Sequence, residues 1–175
     1  MTGTKKKVNN YAFIDGENLY KSIRNQGWKL DYHKFRIYLK EKYSISRAFL
    51  FIGYMKEKKV LYESLKKSGF ELVYKPTIKK ADGETKGNVD AELVLKTMIE
   101  LNNFNKAIII TGDGDFCCLV KYLTEIKKLR ILMIPDRRNY SALFREFRED
   151  IVYMNELRKK LRYKKRWGVS KGQNL

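Results

Sequence analysis

Apolar runs of four or five residues alternate with helical patterns through most of the chain. Tyr11–Ile14, Ala48–Ile52, Phe70–Tyr74, Lys106–Ile110 and Arg130–Ile134 read as five strands. Runs such as AIIIT lack any alternation, which suits strands of a parallel sheet covered on both faces. Between them the period changes. Residues 16–26 and about 31–42 read as helices, the second with Tyr32, Phe35, Tyr38 and Leu39 on one face. Val60, Leu61, Ser64, Leu65 and Ser68 mark a third helix ending at Gly69. Ala91, Val94, Leu95, Met98 and Ile99 follow the i, i+3, i+4, i+7, i+8 spacing of an apolar helix stripe. Phe116, Leu119, Val120 and Leu123 repeat it after the fourth strand. Strands joined through helices call for right-handed crossovers, so the expectation is a three-layer α/β/α domain around a mainly parallel sheet of about five strands. One long polar stretch, PTIKKADGETKGN at 76–88, interrupts the order and reads as a functional loop.

At 175 residues with 43% hydrophobic content, the chain suits one domain with a sizeable core. No apolar run approaches a membrane span, and the start MTGTKKKVNN lacks the apolar stretch of a secretory signal, so the cytoplasm is expected. The adjacent Cys117 and Cys118 suit neither a metal site nor a disulfide framework, and Cys117 reads as a small core residue. The single histidine, His33, falls on a solvated helix face. Paired-histidine ribonucleases, His-based zinc hydrolases and Ser-His-Asp triads are thereby disfavoured, leaving carboxylates for any hydrolytic chemistry.

Charge sharpens this. The formal net charge is +18, with eight Lys or Arg against one Glu in residues 155–175 and three lysines in the first ten residues. Such an excess is a footprint for phosphate backbones. Against it stand four acids at strand–helix junctions: Asp15 in YAFIDGEN, Asp90 in KGNVDAEL, and Asp113 and Asp115 in AIIITGDGDF. Clustered carboxylates repel and lose hydration, which a shared cation offsets. If strands one to three wind outward and the fourth returns beside the first, Asp15, Asp113 and Asp115 meet where the winding reverses, with Asp90 approaching from the side. Carboxylates and water suit Mg²⁺ or Mn²⁺. Taken singly, each acid has an ordinary explanation. Asp15 begins an Asp-Gly turn, Asp90 favours a helix dipole, and Asp115 caps a helix starting at Phe116.

YAFIDGENLY, KGNVDAELVL and IIITGDGDF resemble the three signature segments of the NYN domain, in the LabA-like branch of the PIN-like nuclease superfamily. The resemblance covers residues 9–154, between a basic N-terminal tail (1–8) and a basic extension (155–175). It implies a PIN-like Rossmannoid fold and a metal-dependent ribonuclease. Asp15, Asp90 and Asp113 would hold one or two Mg²⁺ or Mn²⁺ ions, with Asp115 completing the pocket. Asn18 and Thr111 match the polar residues beside the first and third acids. Many relatives carry a further acid where this chain has Lys96, and Glu92 lies about 200° around the helix from Asp90. Lys79, Lys80, Lys86, Arg137 and Arg138 are expected at backbone phosphates, and Tyr140 and Trp167 on unpaired bases. Single-stranded or structured RNA is the expected partner, and a homodimer is compatible with the sequence. Two rivals remain. One is an RNA-binding module without turnover. The other is a Toprim-like phosphotransfer enzyme, which would use Glu in the first position and leave Asp90 idle.

Overall fold

The computed structural model describes residues 8–75 and 90–164, with the backbone at 78–79 and 85–86. The chain opens with β1 (Asn10–Asp15), α1 (Gly16–Asn25), α2 (Tyr32–Tyr43) and β2 (Ile45–Gly53). A 3-10 turn at Lys56–Lys58 leads into α3 (Lys59–Lys67) and β3 (Glu71–Lys75). The short strands β4 (Ile78–Lys79) and β5 (Thr85–Lys86) pair antiparallel within the long polar stretch. Then follow α4 (Asp90–Ile99), β6 (Ala107–Ile110), a 3-10 turn at Gly114–Phe116, α5 (Cys117–Glu125) and β7 (Leu129–Ile134). A 3-10 run at Ala142–Asp150 precedes β8 (Ile151–Tyr153), a second run covers Met154–Leu157, and α6 (Arg158–Leu161) completes the described elements.

The main sheet has the order β3-β2-β1-β6-β7-β8, and each neighbouring pair is parallel. It holds six strands rather than the expected five. The additional one, β8, is a three-residue edge strand with half-buried side chains, too short to leave a periodic signature. The chain winds outward from β1 to β3 and returns at β6 on the other side of β1. The winding therefore reverses between β1 and β6, as the acid positions required.

Successive strand residues point to opposite faces. Ala12, Ile14, Ala48, Leu50, Ile108 and Ile110 pack with Leu19, Phe35, Leu39 and Leu65 of the first three helices. Tyr11, Phe13, Phe49, Phe51 and Ile109 pack on the other side with Leu93, Leu119, Val120 and Leu123. This double coverage explains why the central strands read as unbroken apolar runs. Past Tyr153 the chain stays packed. Met154 and Leu161 are fully buried, Asp31 N donates to Leu161 O at 2.9 Å, and Tyr163 N donates to Lys29 O at 2.8 Å.

Two helices present different faces from those expected. On α4 the residues buried are Leu93 and Thr97, while Leu95 and Ile99 are 60% and 63% exposed. On α3 the buried residues are Tyr62 and Leu65, and Val60 is 85% exposed. Cys117 packs partly buried against the second core cluster, and His33 is exposed. No helix among the described residues is long and apolar enough to cross a membrane.

Candidate metal centre

Asp15 is the last residue of β1 and the N-cap of α1. Its Oδ1 accepts from Asn18 N at 3.0 Å, and its Oδ2 accepts from Thr111 Oγ1 at 3.1 Å. The carboxyl is buried at 4% exposure. Burial pushes its pKa up from 3.8 to about 6, outweighing the two hydrogen bonds, which favour the carboxylate. The charges of Asp90 and Asp113 raise it further. The next residue admits no side chain, because a Cβ on Gly16 would lie 2.5 Å from Ile52 Cγ2 and 2.6 Å from Phe51 O. Gly16 thus lets α1 start directly against β2, which keeps Asp15 at the sheet edge.

Thr111, just past β6, is fully buried and joins two acids. It donates to Asp15, and its Oγ1 accepts from Asp113 N at 3.1 Å. Asn18 Oδ1 accepts from Gly112 N at 2.8 Å. The loops after β1 and β6 are therefore tied together by the polar side chains beside each acid. These three hydrogen bonds close on the site itself, so Asn18 and Thr111 hold its shape.

Asp113 caps the 3-10 turn, its Oδ1 accepting from Asp115 N at 3.1 Å. Asp115, for which helix capping was the alternative to a place in the pocket, is not the cap. The turn starts one residue after Asp113, and α5 begins only at Cys117, so the capping position falls to Asp113 and leaves the Asp115 carboxyl exposed. Asp90 opens α4. Among the described residues, Asp90, Asp113 and Asp115 each offer a carboxylate oxygen, all within 4.8 Å of one another. Asp15, expected to share the ion, is not among these three, although the charges of Asp90 and Asp113 reach its carboxyl.

An octahedral ion with bonds of about 2.0–2.1 Å sets its oxygens about 3 Å apart when adjacent and about 4.2 Å apart when opposite. The trio is close to that spacing and consists only of oxygen donors, so it suits a hard divalent cation. Lys96 is drawn away from the acids, its ammonium 2.7 Å from Glu100 Oε1 and 5.0 Å over the Phe49 ring. Glu92 pairs with Lys75 at 3.4 Å.

Arg137 and Arg138 follow β7 on the same edge and are exposed. Arg138 N donates to Asp136 Oδ1 at 3.0 Å, and Arg137 N to Asn155 Oδ1 at 2.9 Å. Asn155 Nδ2 also donates to Asp136 Oδ1 at 3.3 Å and to Gln26 Oε1 at 2.9 Å. Asp136 is a buried acid that the sequence reading passed over, although the strand-end rule that selected Asp15 and Asp113 applies equally to it. Its oxygen is committed to shaping the arginine loop. That loop packs on Gly112, beside Asp113: Ser141 N donates to Gly112 O at 2.9 Å, and a Cβ on Gly112 would lie 3.3 Å from Tyr140 Cβ. The side chains of Lys79, Lys80 and Lys86, and all of Trp167, lie outside the described residues.

The family model of the NYN domain matches residues 11–158. The chain belongs to the NYN domain family. That family is part of the PIN-like nuclease superfamily, and the matched span carries all four acids. Among solved structures, a protein of unknown function, VPA0982, from Vibrio parahaemolyticus RIMD 2210633 is similar in fold. Its TM-score is 0.75 at 20% identity, covering 93% of this chain and all of that one. No curated protein matches the chain.

Proposed function

We propose that this NYN domain, of the LabA-like branch, is a metal-dependent endoribonuclease that hydrolyses RNA phosphodiesters at the acid cluster. The observation that carries the reading is the juxtaposition of three carboxylates within 4.8 Å on a chain of net charge +18. Asp15, Asp90, Asp113 and Asp115 would hold Mg²⁺ or Mn²⁺, the last three offering oxygens within 4.8 Å of one another. A divalent ion bound there supplies Lewis acidity toward the phosphodiester and lowers the pKa of a water. Thr111 and Asn18 keep the two acid-bearing loops in register, and Arg137, Arg138 and Lys86 would neutralise flanking phosphates. Hydrolysis needs no histidine in this arrangement. A Toprim-like phosphotransfer enzyme would leave Asp90 without a role, whereas here Asp90 shares the space of Asp113 and Asp115.

The test is cleavage of end-labelled single-stranded RNA with Mn²⁺, Mg²⁺ or EDTA. The expected result is metal-dependent cleavage that falls at least about 100-fold in Asp113→Asn and Asp15→Asn. Cleavage in EDTA, or equal rates in the variants, would overturn the mechanism. Tight RNA binding without turnover under any metal would favour the binding-module reading.

A further inference from the structure

Three tyrosines cluster where β2 and β3 leave the sheet, on the same carboxyl edge as the acids. Tyr54 follows β2, and its N–H donates to Lys75 O at 3.1 Å, which continues the strand pairing past the end of β2. Tyr74 is the penultimate residue of β3, and Tyr62 comes from α3. Ring centroids are 5.9 Å apart for Tyr54–Tyr62, 5.5 Å for Tyr54–Tyr74 and 5.3 Å for Tyr62–Tyr74. Tyr62 is buried and fixed by its hydroxyl, which accepts from Met55 N at 2.9 Å and donates to Gly53 O at 3.2 Å. Tyr54 and Tyr74 are only partly buried. The aromatic core beneath the sheet is built largely of phenylalanine, including Phe13, Phe49 and Phe51. At the edge the rings are amphipathic instead, as befits a surface with one dry and one wet side.

Cations surround them. Lys56, Lys58 and Lys59 are exposed in the turn leaving β2, and the Lys66 ammonium lies 6.0 Å over the Tyr74 ring. Lys75, next to Tyr74 on β3 and so on the opposite face of that strand, pairs with Glu92 of α4. Along the sheet Asp15 is opposite Phe51 and Phe51 opposite Val73, which sets the end of β3 two strand spacings, about 10 Å, from the end of β1, with Tyr74 one residue beyond Val73.

We propose that Tyr54 and Tyr74, seated on Tyr62, form a base-stacking subsite for an unpaired nucleotide of single-stranded RNA. The inference rests on the ribonuclease reading and adds the substrate's form to it. Aromatic rings ringed by lysines match the two faces of a single strand, its bases and its phosphates, whereas the bases of a duplex are already stacked. Arg137 and Arg138 lie on the far side of the acids, so a strand held at both flanks would cross the trio between them.

The experiment uses the full chain carrying Asp113→Asn, so that substrate persists, with a single-stranded RNA containing one 2-aminopurine. Tyr54→Leu and Tyr74→Leu should each weaken binding between about 5- and 150-fold and abolish quenching of the bound fluorophore. Tyr54→Phe and Tyr74→Phe should bind within about twofold of the tyrosine protein, since stacking does not need the hydroxyl. Folded leucine variants with unchanged affinity and quenching would overturn the subsite while metal-dependent cleavage by the wild type still stood. A wild type that neither binds nor cleaves RNA would overturn both. Should the leucine variants fail to fold, wild type is photocrosslinked to RNA bearing 5-iodouridine. Adducts on Tyr54 or Tyr74 support the subsite, and adducts confined to other residues overturn it.

Discussion

Asp15 concentrates the electrostatics of the site in one side chain. Its carboxyl is buried, two donors favour its charged form, and burial still pushes its pKa up to about 6. The folded protein therefore holds this proton more tightly than the unfolded chain does. The resulting stabilisation is fully present below the unfolded value of 3.8 and is lost as pH rises through about 6. A shift of this size is on the order of 2–3 kcal/mol. In metal-free buffer, Asp15→Asn is expected to melt several degrees above wild type at pH 7.5, with the gap closing toward pH 4. Thermal melts across that range check it, and a pH-independent gap would contradict it. Thr111 gives a companion prediction. Thr111→Val removes the hydroxyl that serves both Asp15 Oδ2 and Asp113 N. Urea unfolding should show a loss of about 1–3 kcal/mol, whereas Thr111→Ser, which keeps the hydroxyl, should stay close to wild type. The position of Asp15 was legible from its place at the end of an apolar run. Its burial and its bond to Thr111, 96 positions away, required the assembled fold.

Among the elements, α4 separates periodicity from burial most clearly. Its most regular apolar stripe, Leu95, Met98 and Ile99, faces outward, and the helix is anchored instead by Leu93 and Thr97. Thr97 is compatible with full burial because its hydroxyl donates to Leu93 O at 2.8 Å. Stability measurements should accordingly show Leu93→Ala costing about 2–4 kcal/mol and Leu95→Lys staying within about 0.5 kcal/mol of wild type. The reverse ranking would mean that the stripe packs inward. The helix is oriented from its two ends. Glu92 pairs with Lys75 near the acids, and Lys96 and Glu100 join Arg47 and Glu71 at the opposite edge of the sheet. These partners lie on other strands and could not be read from the helix's own period. The strands were legible because double coverage leaves an unbroken apolar run. β8 was not, because three half-buried residues at an edge carry no such run.

At the scale of the whole molecule, an acidic pocket sits on a body of net charge +18. Binding of RNA should therefore weaken steeply with salt, the logarithm of affinity falling linearly with that of salt concentration. Arg137→Ala and Arg138→Ala should each lower that slope by about 0.7 for a single strand while reducing affinity alike across sequences. Titrations at several salt concentrations read this directly, and an unchanged slope would remove the arginines from the phosphate path. The chain's order of apolar runs determined the α/β/α class, and its four strand-end acids with their glycine-spaced loops marked both the family and the site. Those are local properties, set by the side-chain period of strands and helices and by the chemistry of neighbouring residues. The tertiary structure alone decided which acids share one space and that Asp15 is buried. It also decided which face of α4 is covered, and that Tyr54, Tyr62 and Tyr74 meet on the same sheet edge as the acids. Each of those depends on strand order and register, which bring together residues up to 100 positions apart and which no local pattern encodes.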